Sequence, residues 1–350
     1  MQLDRLAVST PVIAVSILVV VAASIGAYSF YRGSAASKLN SPLIVYSADL
    51  YTAESSFLYS GFANSTGIPY APPKGAGSFA LARQIAQGSP VSDFVSVSKS
   101  ALETSYLGNR SSGWGVAFAA DQMSIGYSNS TGQPSALQTL LSEYQEASVS
   151  NSTSPWKTFF SDLTSGSVKV GISNPNTDPA GYRAWIVLEA AGQVYAGDQT
   201  YFVNRMLQSG ANVTGASAAA LVAPLQAGQI QLLFMYKSAV QSHGLATLLL
   251  SSQVNLGDAA LGNYYSQFMY NLSAGPQKGG PILLFITVPR NSTETSRALE
   301  FVVYVVQQAS TMSGFGLVPL SPPQLYNSTA VPSIVAQLLT DGSVVRSGSI

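Results

Sequence analysis

The stretch with the clearest chemical potential runs from Ser167 to Ala191, SVKVGISNPNTDPAGYRAWIVLEAA. Val168-Lys169-Val170-Gly171-Ile172 reads as a short β-branched strand and Asn174-Pro175-Asn176-Thr177 as a turn. Asp178 before Pro179 marks a helix start: an N-cap carboxylate, then a proline where no N–H is needed. Apolar residues recur at helical spacing from Trp185 onward. A strand that feeds a helix through a polar loop presents unpaired backbone N–H groups, and such an end is a ready anion site. Covalent catalysis has little to draw on. Cysteine is absent, which removes thiol chemistry, Cys-ligated zinc and a disulfide framework. The single histidine, His243, lies beside Gly244 at a helix end and reads as a C-terminal cap contact. There is no Gly-x-Ser-x-Gly elbow, and the acidic residues are too scattered to nominate a glycosidase pair.

The elements that must position this loop belong to a chain of 350 residues, enough for two domains. Charged residues make up 9% of it, against about 25% in an average globular protein, so Ser, Thr, Asn, Gln and Tyr must solvate the surface. Sixteen Lys+Arg balance sixteen Asp+Glu, and no basic run exists to attract nucleic acid. Between Arg5 and Arg32 there is no charge, and Pro11 to Tyr31 is almost wholly apolar. About 20 such residues span a bilayer core, so residues 1–32 read as an uncleaved membrane anchor, with a cleaved secretory signal as the alternative. Residues 33–41, GSAASKLNS, form a flexible linker. Eight Asn-x-Ser/Thr sequons, at Asn64, Asn109, Asn129, Asn151, Asn212, Asn271, Asn291 and Asn327, hold more than half of the asparagines. They argue for a glycosylated exterior face, although a Ser/Thr-rich chain also produces sequons by chance.

Beyond the linker, strands and helices alternate. Pro42–Ser47 is a buried-type strand, followed by a helix through Phe62; Phe79–Gln87 is a helix opened by the small-residue loop Gly75–Ser78. Val91–Ser98 is a strand, Gly115–Ala120 and Met123–Tyr127 cross between lobes, Pro134–Glu146 is a helix and Asn151–Trp156 a loop. Ala216–Gln226 is helical, Gln231–Tyr236 a strand, Lys237–His243 a helix, Pro281–Val288 a returning strand and Thr293–Ser310 an amphipathic helix. The alternation predicts parallel α/β sheets.

These segments carry a resemblance. The loop SNPNTDPAGYR (Ser173 to Arg183) resembles the signature of the archaeal-type molybdate/tungstate-binding proteins of ABC transporters. LIVYSADL, GAGSFALARQIAQG, GWGVAFAADQMSIGYS and LQAGQIQLLFMYKSAVQSHGL agree in order, as do ITVPRNSTETSRALEFVVYVV and GFGLVPLSPP, so the likeness runs from Pro42 to about Leu339. It implies a two-lobed type II periplasmic-binding-protein fold, each lobe a mostly parallel sheet flanked by helices. Lobe 1 would comprise residues 42–122 and 287–350, lobe 2 residues 123–286, with a hinge near Asp121–Tyr127 and Phe285–Pro289. An oxyanion would sit in the cleft, where loops at the carboxyl ends of strands meet helix starts. Ser47, Ala48, Asp49, Gly77, Ser78, Asp178, Pro179 and Ala180 would then line it with hydroxyls and backbone N–H groups, and Tyr182 and Tyr236 would add phenols. Ser78 is the foremost candidate, since Gly77-Ser78 opens a helix with no competing charge.

Asp178 has two readings: an N-cap, or, as the resemblance implies, a carboxylate that enlarges the coordination of Mo or W. Related chains carry a Glu in the strand matching QLLFMY, where this one has Met235, and favour a serine near Asp49; both are departures. The expectation is a non-enzymatic, monomeric, extracellular binding subunit. It would be tethered to the membrane or secreted, take molybdate or tungstate as ligand without any cofactor, and hand it to an ABC permease. Sulfate or another tetrahedral oxyanion, a hard metal cation, and a surface glycoprotein without transport function are the rival readings.

Overall fold

The computed structural model describes residues 41–129, 133–150 and 152–350. The expected anchor, residues 1–32, and all of the linker but Ser41 lie outside them, as does Asn151. Among the described residues no helix is long and apolar enough to cross a membrane.

The apolar run after Pro42 opens the larger sheet with β1 (Val45–Ala48), whose four residues are all buried. β2 (Lys74–Ala76), β3 (Asp93–Ser96) and β4 (Trp114–Asp121) follow. Through Gln122 the chain passes directly into a second sheet: β5 (Met123–Tyr127), β6 (Val170–Ser173), β7 (Asn212–Gly215), β8 (Leu232–Tyr236) and β9 (Ala246–Leu249). A hairpin of β10 (Met269–Leu272) and β11 (Gly275–Lys278) leads back to β12 (Ile282–Thr287), and β13 (Val318–Asn327) and β14 (Val345–Gly348) complete the first sheet. The strand orders are β14-β13-β4-β12-β3-β1-β2 and β7-β6-β8-β5-β9.

Two expectations about these sheets are corrected. They are mixed rather than mostly parallel: β1 runs parallel to β2 and β3, and β6 to β7 and β8, but β12 and β5 are antiparallel to both of their neighbours. The strands that carry the chain between the sheets enter from the opposite end and so run against the strands built by helical crossovers. The return also comes earlier than residue 287. Ile282–Thr287, buried at five of its six positions, belongs between β3 and β4 in the first sheet.

Helices cover both sheets. Thr52–Thr66 follows β1 through a tight turn at Asp49–Tyr51, and Ser78–Ala86 follows β2. The Pro179–Ala191 helix is buried at every position but Glu189, the mark of a core helix. It starts as the sequence predicts: Asp178 Oδ1 accepts from Ala180 N at 3.1 Å and Pro179 fills the first position. The Asn151–Trp156 loop is corrected to a helix, Thr153–Leu163, capped by Ser152 Oγ accepting from Ser154 N. Pro155 stands in its first turn, where a missing N–H costs nothing. His243 ends the Lys237–Ser242 helix by donating its backbone N–H to Ala239 O, with Gly244 in the left-handed region. Of the sequons, Asn64, Asn109, Asn129, Asn271 and Asn291 are exposed, while Asn212 and Asn327 are half-buried.

Candidate functional site

The loops after β1, β2 and β6 converge where the two lobes meet. Register does the first part: β1 and β2 pair Ala48 with Ala76, which brings Asp49 beside the small-residue run Gly75–Gly77. A Cβ on Gly75 would lie 3.3 Å from Asp49 Cβ, and one on Gly77 would lie 2.8 Å from Asp178 Cβ. Only glycine allows so close an approach of the first lobe's loop to the second lobe's helix start. Backbone contacts hold the seam: Ala80 N donates to Thr177 O at 3.1 Å, and Arg83 Nη1 donates to Asn176 O at 2.6 Å.

The two helix starts at this seam differ. At Pro179–Ala191 the first turn is self-satisfied, since proline has no N–H, Ala180 N goes to Asp178 Oδ1 and Gly181 N goes to Asp178 O. At Ser78–Ala86 no side chain caps the helix. Ser78 is fully buried; its Oγ accepts from Val97 N at 3.2 Å, and its hydroxyl hydrogen has no acceptor among the described residues. Ala80 N is taken by Thr177 O, so an anion at this end would meet the two remaining first-turn amides, Ser78 N and Phe79 N, and a hydroxyl donor.

Asp178, 2% exposed, also accepts from Ala218 N at 2.8 Å through Oδ2. Burial pushes its carboxyl up to about 6, the charge of Asp49 adds to this, and the Ala218 and Ala180 N–H groups oppose it. Burial likewise raises Asp49, against the Ser217 hydroxyl and Leu50 N–H that favour its charged form. Ser47 is turned away from the seam, its Oγ within 2.8 Å of Ser55 Oγ and donating to Ala48 O and Tyr51 O. Tyr182 stacks on Phe79 with ring centroids 6.0 Å apart, and Tyr236 stacks on Tyr51 at 5.6 Å. Asp49, Gly77, Ser78, Asp178, Pro179 and Ala180 thus gather at one point, with Ala48 beside them. Tyr182 and Tyr236 lie behind them, and Ser47 beneath.

Four further groups at the seam were not among the expected ligand residues. Arg183, 5% exposed, donates to Tyr236 Oη at 2.6 Å in its own lobe and to Val97 O at 2.7 Å in the other. Burial pulls its basicity down, but the surrounding tyrosines more than offset this and keep it charged. Asp121, at the end of β4, accepts from Tyr51 Oη at 3.0 Å and from Ser238 Oγ at 2.5 Å, and burial pushes it up to about 6. Glu54 is 2% exposed with no hydrogen bond to either carboxylate oxygen, and burial pushes it up to about 7. Ser217 faces Asp49. All four meet their partners across long separations in sequence, and no local pattern marks them. Met235 is fully buried, its sulfur against Gly126 on the neighbouring strand. Outside Arg183 and Tyr182 a cleft of about 520 Å³ remains between the lobes, reaching Tyr106, Glu103 and Lys278. Among the described residues no three His, Asp or Glu side chains are placed to hold a metal ion.

The arrangement can bind and enclose a small polar ligand. The profile of a family described as bacterial extracellular solute-binding protein matches residues 45–314. An uncharacterized solute-binding protein of Saccharolobus solfataricus is 36% identical over 315 residues, 88% of this chain and 78% of the relative. The molybdate/tungstate-binding protein of Thermococcus kodakarensis is 26% identical over 164 residues, 41% of this chain and 46% of that protein. The periplasmic molybdate-binding protein of Azotobacter vinelandii shares the fold, with a TM-score of 0.51 at 16% identity over 79% of this chain and 98% of the other.

Proposed function

The chain belongs to the family of bacterial extracellular solute-binding proteins, and from that premise we propose that it captures molybdate or tungstate between its lobes and delivers it to an ABC permease. Solute-binding proteins are non-enzymatic components of transport, working with permease and ATPase partners. The observation that carries the ligand class is the start of the Ser78–Ala86 helix, which has no side-chain cap, leaves the Ser78 hydroxyl hydrogen without an acceptor among the described residues, and faces the loop that ends in Asp178. Neutral dipoles of this kind hold a tetrahedral dianion without a cation. The partial likeness to a molybdate/tungstate-binding protein supports the same reading. In this proposal residues 1–32 tether the protein to the outer face of the membrane.

Isothermal titration of the full chain with tungstate, molybdate, sulfate and phosphate tests the reading. Tight binding of the first two is expected, and Ser78→Ala should weaken it about 10- to 100-fold, the cost of one buried donor to a charged acceptor. Heat from none of the four anions would end the oxyanion reading.

A further inference from the structure

Buried polar side chains in folded proteins are almost always hydrogen-bonded, so a cavity wall where several are not points to a ligand. Four hydroxyls border the cleft of about 520 Å³: those of Ser98, Ser100, Tyr106 and Tyr182, residues only 2%, 9%, 6% and 3% exposed. The Ser98 backbone is paired through Ser96 Oγ, but none of the four hydroxyls has a hydrogen-bond partner among the described residues. Ser98 and Ser100 follow β3 in the first lobe and Tyr106 lies on the short helix after them, whereas Tyr182 is in the first turn of the second lobe's Pro179–Ala191 helix. Arg183 shares that wall. Two of its five N–H donors go to Tyr236 Oη and Val97 O, which sets the guanidinium beside Ser98 and leaves three donors over. The rim carries Lys278, exposed on β11, and Lys99, whose Nζ also donates to Ser349 O at 2.8 Å. Glu103 is the one acid among the lining residues, so three cations face one carboxylate. Leu283 and Phe285 of β12 add an apolar wall, with Tyr326 edge-on to Phe285.

We infer that this cleft is a second solute site, and that it takes a small organic anion: a carboxylate or phosphate head on an apolar body of several carbons. The head follows from the lining, where spare donors and cations outnumber acceptors. Arg183, Ser98 and Tyr182 would receive it. The body follows from the volume, which lies within the roughly 300–1,000 Å³ of small-molecule clefts and exceeds what a bare tetrahedral oxyanion fills, and from the wall at Phe285. Donors from both lobes would meet on the head, so an anion held here favours the closed arrangement. The site is separate from the seam: Asp49, Gly77, Ser78 and Asp178 do not border it. It therefore goes beyond the oxyanion reading and does not depend on it.

The test is isothermal titration of the full chain with benzoate and with phenyl phosphate, each to about 10 mM, repeated in the presence of excess tungstate. One equivalent of at least one probe is expected, at a Kd of about 1 mM or below, the strength open to a ligand of about ten heavy atoms. Which probe binds tells carboxylate from phosphate. Benzyl alcohol, similar in size and uncharged, should bind at least about tenfold more weakly. Gly280 supplies the blocking variant: it borders the cleft, and a Cβ there meets no atom within 4 Å, so Gly280→Phe fills the space without a clash. It should abolish probe binding and leave tungstate binding as in the parent. Ser98→Ala should weaken the probe about tenfold, the cost of one hydrogen bond to a charged acceptor. Failure of both probes to bind by about 10 mM would overturn the inference. So would a probe that tungstate displaces and Gly280→Phe spares, which would belong to the seam, and so would equal affinity for benzyl alcohol. Tungstate heat is read separately: its absence ends the oxyanion reading and leaves this one standing.

Discussion

Glu54 is held at a cost. It sits in the first turn of the Thr52–Thr66 helix, 2% exposed, with neither carboxylate oxygen hydrogen-bonded. Burial raises its pKa to about 7, and the nearby charge of Asp121 adds to the shift. Because the folded value lies above the unfolded one of about 4.3, the stability gained is fully present below that lower value and lost as pH rises through about 7. Glu54→Gln, which imitates the protonated acid, should therefore stabilise the protein at pH 8 by roughly 2–3 kcal/mol and change little at pH 4. Denaturant titrations at the two pH values check this. Equal effects at both would mean that Glu54 ionises without penalty. Asp121 and Asp178, each raised to about 6 by burial, act in the same direction, so acid strengthens this fold down to about pH 4.

At the scale of elements, the start of the Ser78–Ala86 helix is fitted to the Asn174–Asp178 loop by the absence of one side chain. A methyl group on Gly77 would meet Thr177 O and come within 2.8 Å and 2.9 Å of Asp178 Cβ and Cα, backbone and near-backbone atoms that cannot swing aside. Gly77→Ala should leave each lobe folded and push them apart at this seam. The expected results are a loss of tungstate binding of about 100-fold or more and a melting temperature lowered by only a few degrees, since overpacking costs about 1–3 kcal/mol. A variant that bound as the parent does would show that the seam is not closed this way in solution. The local signals here were legible in sequence: Asp178-Pro179 caps and starts its helix as expected, and small residues precede Ser78. The pairing of elements was not. Ala218 N, 40 residues on, completes the Asp178 carboxylate, and nothing in GASAAAL points to it. Polar or proline-bearing strands also escaped, since β13 contains Pro319, Pro322 and Pro323 and β14 is exposed throughout. Alternation of strands and helices gave the α/β class but could not show the direction of strands that pass between lobes, which depends on the far end of the chain.

Across the whole molecule, the lobes are joined by side chains that each reach both halves. Tyr51 of the first lobe stacks on Tyr236 of the second, and Asp121 collects Tyr51 and Ser238. Arg183 is the most committed of these links, because its two hydrogen bonds end in different lobes and its guanidinium carbon lies 5.3 Å and 5.6 Å from the ring centroids of Tyr182 and Tyr236. A lobe movement that separates Val97 from Arg183 must leave a buried carbonyl and a charged fork without partners, unless water enters with the opening. Arg183 therefore biases the pair of states toward closure, and any ligand that binds the closed state gains by that bias. Arg183→Met keeps most of the volume and removes both hydrogen bonds. Its ligand-free form should show a larger radius of gyration in solution scattering than the parent, with tungstate restoring the compact curve. Tungstate affinity should fall about 10- to 100-fold, corresponding to the roughly 1.5–3 kcal/mol of a charge-assisted hydrogen bond. Loss of stability alone, with scattering curves that superimpose before and after ligand, would assign Arg183 to packing and place the control of closure in the Asp121 cluster.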